Sequence, residues 1–326
     1  MNIPAVDKPV RKVGYIGLGA IGLPMAERVL AAGFSLHVWN RNSAKANALI
    51  ERGAVLAASP ADLARRVEVL CLCVSDDRAV EEVVLGAQGI ASAGAAGLVV
   101  ADNSTIHPAA TRSIAARLAA VGGGSWVDAP VSGGPAGARA GTLAVFAGGE
   151  TGSVERVRGV LMSFANRVTH MGAQGCGQAT KACNQMLSFG TVAVLAEALN
   201  LASRFGLDPT RLPEALAGGL ADSAVLRRYA PTMAAGEFTG STLTALKDLE
   251  IALDLARETG SAIPMTGLLA SFYRLLISRG HADDGVSGVM RLYADGPLPN
   301  QITRTGAAPV PGLAESTTDQ QGKTYR

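Results

Sequence analysis

The chain has 326 residues, more than one typical domain of about 100–200 residues, so two domains are expected. Hydrophobic residues make up 48% and charged residues 17%, a balance that builds large cores and excludes a disordered chain or a charged fibre. The net charge is only +2, aromatics are 4% and no basic cluster stands out, so nucleic acid would find neither an electrostatic footprint nor stacking platforms.

Residues 1–11 read as an N-terminal extension. Pro4, Asp7 and Pro9 interrupt the continuous apolar stretch a signal peptide requires. No uncharged run of about 18 apolar residues follows, and the expectation is a cytoplasmic protein that does not span a membrane. Residues 12–16 form a short apolar run followed by a glycine loop. Residues 25–32 then carry apolar side chains at helical spacing until Gly33, giving strand, turn and helix. Residues 34–39 read as a second strand, 44–50 as a helix closing at Gly53, and 67–74 as a nearly continuous apolar strand of the kind buried on both faces in a parallel sheet. Strands at 98–101, 126–128, 143–147 and 167–169 continue the alternation. Repeated β-α-β units predict an α/β fold, a Rossmann-like doubly wound open sheet over residues 12–173.

After Gly172 the alternation stops. One helical pattern runs from about 177 to 205, far beyond the usual length of about 10–14 residues. Residues 208–216, 224–234, 243–258, 265–279 and 284–293 also show helical periodicity, mostly separated by Gly or Pro. Residues 174–295 are therefore expected to form an all-helical substrate and oligomerisation domain without strands. Leu268, Leu269, Phe272, Leu275 and Leu276 exceed what one narrow stripe buries, which predicts a homo-oligomer, dimer or tetramer. Residues 296–326, rich in Pro, Gly, Thr and Gln, read as a mobile tail.

Four motifs carry chemistry. The first is Gly17-Leu18-Gly19-Ala20-Ile21-Gly22, a G-x-G-x-x-G placed between a strand and a helix. In that context Gly17 permits the tight turn, Gly19 admits a pyrophosphate, Gly22 lets helix pack on strand, and the helix N-terminus holds the diphosphate. The second is Asn40-Arg41, about 20 residues on, where an NAD site usually places an acid for the ribose diol. Asn40 removes the charge that would repel a 2′-phosphate, and Arg41, with Lys45 nearby, can pair with it. NADP is favoured and NAD stays possible, because Arg41 also reads as a plain surface charge. The third is the pair of strand-end segments beginning Asp102-Asn-Ser-Thr and Asp128-Ala-Pro-Val-Ser-Gly-Gly. The Ser132-Gly133-Gly134 turn can direct consecutive backbone N–H groups at one carboxylate, and alone it reads equally as a simple loop. The fourth is the start of the long helix, where Lys181, Asn184, Gln185 and Ser188 share one face. Further along, Glu197, Asn200 and Arg204 fall on the opposite side, so the early stripe is expected to line a cleft and the later one to meet solvent.

These motifs resemble the β-hydroxyacid dehydrogenase family over about residues 12–293, through Gly17-Leu-Gly-Ala-Ile-Gly-Leu-Pro-Met-Ala, Asp128-Ala-Pro-Val-Ser-Gly-Gly and Gly175-x-Gly-x-x-x-Lys181-x-x-Asn184. The resemblance implies that Lys181 is the general acid/base of hydride transfer, that Ser132, Gly133 and Gly134 bind the substrate carboxylate, and that Asn184 orients the substrate. It also implies that Ser104 and Thr105 lie near the nicotinamide ribose and that Lys247 closes the cofactor site from the helical domain. With Val74 at the end of the third strand, the expected cofactor contacts are Gly17, Leu18, Gly19, Ala20, Ile21, Gly22, Asn40, Arg41, Val74, Ser104, Thr105 and Lys247. Gln185 stands where relatives acting on hydroxyisobutyrate commonly carry Asn, which resembles tartronate semialdehyde reductases (2-hydroxy-3-oxopropionate reductases). A donor and acceptor at Gln185 should favour substrates with extra hydroxyls. Ile21 in place of the usual Met and the missing Arg before Lys247 depart from the family pattern. The alternatives are a 3-hydroxyisobutyrate or L-threonate dehydrogenase, a non-catalytic NADP-binding sensor, or, against the presence of Lys181, an imine reductase.

Cys71, Cys73, Cys176 and Cys183 form no C-x-x-C pair and read as reduced, buried thiols. His107 and His170 lie near strand ends but lack an evident partner for proton transfer. No His, Cys or carboxylate cluster has metal-ligand spacing, so no metal is expected.

Overall fold

The computed structural model describes residues 10–294; most of the N-terminal extension and the whole expected tail lie outside the described residues. In the first half, β1 (Lys12–Ile16), α1 (Gly22–Ala31), β2 (Ser35–Trp39), α2 (Asn47–Glu51), β3 (Val55–Leu56), α3 (Pro60–Ala64) and β4 (Val69–Leu72) follow in turn. Then come α4 (Asp77–Leu85), β5 (Val99–Asp102), α5 (Pro108–Ala120), β6 (Ser125–Asp128), β7 (Val131–Ser132), α6 (Gly134–Ala140), β8 (Leu143–Gly148), α7 (Thr151–Leu161) and β9 (Ala165–Gly172).

Strands β3, β2, β1, β4, β5 and β6 lie side by side and parallel. Beyond them β8 runs antiparallel to β6 and β7 and parallel to β9, so the far edge of the doubly wound sheet is mixed. The short β3 and β7 are too brief to show alternation and escape sequence reading. The expected helix over 44–50 begins instead as a 3₁₀ turn, Ser43–Ala46, capped by the Asn42 side chain. The apolar run of β4 has a direct cause. Val69 and Cys71 enter one core with Met25, Val29 and Val38, while Leu70 and Leu72 enter the opposite core with Val80, Leu118 and Trp126. Helices cover both faces, so neither set of alternating positions can be polar.

The second half is built on α8 (Cys176–Phe205), followed by α9 (Leu212–Ala215), α10 (Ala224–Ala234), α11 (Thr242–Thr259), α12 (Pro264–Ser278) and α13 (Arg291–Ala294). Phe189, Val192, Leu195, Ala196 and Leu199 of α8 pack with Leu226, Met233, Leu249, Leu269, Tyr273 and Leu276 from α10, α11 and α12. The expected helices over 208–216 and 284–293 are broken into 3₁₀ and short α segments. Among the described residues the only β pairing here is an isolated bridge, Gly240 to Asp284. By length and composition α8 could cross a bilayer, although Lys181 and Glu197 interrupt its apolar run. In this fold it is the spine against which the other helices and the sheet edge pack.

Candidate active site

The glycine loop joins β1 to α1 at the point where the chain turns from β2 on one side of β1 to β4 on the other. Each glycine has a distinct requirement. Gly17 has φ +91°, and a Cβ there would lie 2.1 Å from the Cys73 carbonyl oxygen; a Cβ on Gly22 would lie 1.9 Å from the Gly17 oxygen. Gly19 has neither constraint, since a Cβ there would meet no protein atom within 4 Å. Its lack of a side chain serves nothing in the protein's own packing, whereas a ligand's phosphates approaching the backbone would need that space. The first turn of α1 has no side-chain cap; Leu23 N–H is taken by the Gly19 carbonyl and Pro24 has none, so Gly22 N–H at the helix start remains for an anion. These residues fit a nicotinamide dinucleotide.

Asn40 also has a structural role. Its Oδ1 accepts a hydrogen bond from Leu18 N–H at 2.9 Å and its Nδ2 donates to the Asn42 carbonyl at 2.8 Å, so it ties the glycine loop to the end of β2. Arg41 is exposed and has no ion-pair or hydrogen-bond partner among the described residues. At the ends of β4 and β5, Val74 N–H donates to Ser104 Oγ at 2.9 Å. Ser104 N–H in turn donates to the fully buried Asp102, whose carboxyl burial pushes up to about 7.

Asp128, at the end of β6, anchors α8. Its two oxygens accept from Gly175 N–H at 2.8 Å and Gln178 N–H at 2.9 Å, supplying the cap that a glycine at that helix start cannot. Gln178 then donates to the Ser104 carbonyl and accepts from Ile106 N–H. The first turn of α8 is thus bolted to the ends of β5 and β6, and Lys181, one turn on, is delivered to the same place.

Lys181 is 7% exposed, and its Nζ makes no hydrogen bond to any described residue. Burial lowers its ammonium to about 8, opposed by Asp248 and reinforced by Lys247. Beside it runs a chain of polar contacts. Ser132 Oγ donates to Asn184 Oδ1 at 3.2 Å, Asn184 Nδ2 to Gln185 Oε1 at 2.9 Å, and Gln185 Nε2 to Asp248 Oδ2 at 2.6 Å. Asp248 Oδ1 lies 3.3 Å from Lys247 Nζ, which donates to the Thr105 carbonyl at 2.6 Å and the Ser75 carbonyl at 3.2 Å. The chain links the Ser132 loop through α8 and α11 to the ends of β4 and β5. Gln185 uses one N–H and one lone pair of its amide in this chain, which leaves one donor and one acceptor position uncommitted. Ser188 is half-buried on the same face, while Glu197 and Arg204 face solvent and Asn200 is half-buried.

Two residues absent from the sequence reading sit here. Asp248 follows Lys247 directly and was legible only as a neighbour. Arg228, on α10, donates from Nη1 to the Gly133 carbonyl at 2.9 Å, and nothing in its local sequence marks it. The histidines take structural parts. His107 caps α5 by accepting from Ala109 N–H, and His170 Nε2 lies 2.9 Å from the Gly149 and Gly172 carbonyl oxygens. The four thiols are free, but only Cys71 is fully buried and Cys183 is exposed, because position 183 faces away from the packed side of α8. No metal-ligand group of three occurs among the described residues.

Comparison with known proteins agrees with this architecture. Residues 12–172 match the NAD binding domain of 6-phosphogluconate dehydrogenase, and residues 175–293 match the family described as NAD-binding of NADP-dependent 3-hydroxyisobutyrate dehydrogenase. The 2-hydroxy-3-oxopropionate reductase of Escherichia coli is 34% identical, covering 82% of this chain and 92% of that protein. The NAD-dependent L-serine dehydrogenase of Pseudomonas aeruginosa is 33% identical, covering 87% and 98%. A 3-hydroxyisobutyrate dehydrogenase structure from Salmonella typhimurium superposes with a TM-score of 0.78 at 27% identity, covering 86% of this chain and 99% of that one. With both halves matched in order, this chain belongs to the β-hydroxyacid dehydrogenase family of nicotinamide-dependent oxidoreductases.

Proposed function

We propose that this protein is an NADP(H)-preferring reductase and dehydrogenase of small β-hydroxy acids, of the tartronate semialdehyde reductase type. The observation that carries the reading is Lys181, a buried amine without a hydrogen-bond partner on the helix face that reaches the Ser132 loop through Asn184. An ordinary lysine is neutral in only about one molecule in a thousand near pH 7.5; burial raises that fraction enough for Lys181 Nζ to take the hydroxyl proton of a hydroxy acid. In the reverse direction Lys181 returns a proton to the forming alkoxide. When bound, the dinucleotide supplies the acceptor or donor of the hydride. Ser132, Gly133 and Gly134 hold the carboxylate, Asn184 orients the hydroxyl carbon, and Gln185 with Asp248 and Lys247 holds α8 and α11 in register.

NADP is favoured over NAD by the unpartnered Arg41 beyond β2 and by the absence of an acid at Asn40. An assembly of two or four copies in a reducing cytoplasm, without disulfides, completes the reading. One donor and one acceptor site of Gln185 are committed to Asp248 and Asn184, so the amide is partly held for structure, which favours a second reading of the substrate, 3-hydroxyisobutyrate. Measuring kcat/KM for glycerate, threonate and 3-hydroxyisobutyrate with NADP⁺ and NAD⁺ decides between them. A hydroxylated acid with NADP⁺ should lead; a clear lead for 3-hydroxyisobutyrate transfers the protein to that subgroup, and cofactor binding with no turnover of any of them supports a sensor.

A further inference from the structure

We propose that Arg228 is a specificity-determining residue of the substrate site, its guanidinium contacting the acidic group that the Ser132–Gly134 loop holds; the inference rests on the carboxylate reading of that loop. Arg228 comes from the helical half, 95 residues away in sequence, and its Nη1 donates to the Gly133 carbonyl. Gly134 has φ +64°, and a Cβ there would lie 2.8 Å from Arg228 Nη2, so the guanidinium rests directly against the loop. Its charge is uncommitted. The neighbouring Arg227 pairs with Asp222, whereas Arg228 has no acidic partner among the described residues: it donates to the Gly133 carbonyl and lies 5.3 Å from the centroid of the Tyr229 ring.

A guanidinium carries five N–H donors in a planar fork, and one is spent on Gly133. The remainder match a carboxylate, for which a bidentate fork gives both charge and direction. A tie between α10 and the loop would need a single donor and no charge. Arg228 therefore adds a cation to one side of the carboxylate position while Lys181 serves the hydroxyl, which makes the site select an acid over its uncharged analogue.

Two variants separate charge from tethering: Arg228→Gln keeps a donor for the Gly133 carbonyl but loses the charge, and Arg228→Lys keeps the charge but loses the fork. Malonate, an unreactive acid, is titrated into the NADPH-saturated protein by thermal shift. We expect about ten- to hundredfold weaker malonate binding in Arg228→Gln, the range of one charge-assisted contact, and an intermediate loss in Arg228→Lys. In turnover, the preference for glycerate over glyceramide should collapse in Arg228→Gln through KM, with kcat within about threefold of wild type. Equal malonate affinity in wild type and Arg228→Gln overturns the assignment. Weakened malonate binding in a protein that turns over no hydroxy acid would uphold it while refuting the proposed reaction.

Discussion

At Lys181 a cationic side chain is held where charge is costly, and the favourable pull of Asp248 only partly offsets its desolvation. Oxidation of a hydroxy acid requires the neutral amine and reduction the ammonium. The rate of oxidation should therefore rise with pH and level off above about 8, and the rate of reduction should fall above it; a kcat/KM profile in both directions checks the two limbs. Lys181→Ala should lower kcat by about 10²–10⁴-fold with NADPH affinity close to wild type. A loss below about tenfold would remove Lys181 from the proton role, and His107 could not inherit it without giving up its cap on α5. Arg41 is the other single-residue test. Arg41→Ala should reduce the NADPH-to-NADH ratio of kcat/KM by about ten- to hundredfold, the worth of one charge-assisted phosphate contact, and an unchanged ratio would refute its pairing with the 2′-phosphate.

Elements place the site by close backbone contact. A Cβ on Gly177 would lie 2.4 Å from the Phe146 carbonyl oxygen and 2.6 Å from that of Asp128, so the first turn of α8 touches the sheet with no room for a methyl group. Gly177→Ala should cost about 3 kcal/mol or more, because the obstruction is backbone and cannot rotate away. Gly19→Ala forms the contrast. With nothing near its Cβ position, it should change stability by less than about 1 kcal/mol yet weaken NADPH binding severalfold. Urea unfolding and NADPH fluorescence titration of the two variants measure both outcomes, and a Gly19→Ala protein that binds NADPH normally would remove the diphosphate from that loop.

Across the whole molecule, the outward face of α8 is not what a solvated helix should present. Leu187, Val194, Leu201 and Phe205 fall on one side, with Leu187 75% and Phe205 80% exposed, and Leu243, Met265, Leu268 and Leu275 add further exposed apolar surface on α11 and α12. A run of this kind matches the core of an interface between copies. Light scattering should return a multiple of 33.2 kDa for wild type, and Val194→Glu combined with Leu201→Glu should shift it to a folded single chain. A wild-type mass near 33.2 kDa at micromolar concentration would refute the assembly.

The alternation of strands with helices, the switch to helices after Gly172, the glycine loop and the Lys181 face were all legible in the sequence. Each is written in local periodicity or in spacing within one element, and both follow from burial on a repeating geometry. The short β3 and β7 and the broken helices over 208–216 and 284–293 were not legible, since pieces of two to five residues are too short to repeat a pattern; the antiparallel pairing of β8 depends on partners its own pattern does not name. The tertiary structure alone decided which polar groups meet. Asp128 caps a helix through Gly175, 47 residues later, Lys247 reaches carbonyls 142 and 172 residues back, Arg228 settles on a loop 95 residues away, and Asp248 accepts from the amide of Gln185. A hydrogen bond between distant residues depends on how whole elements dock, and it leaves no period in the chain from which it could be read.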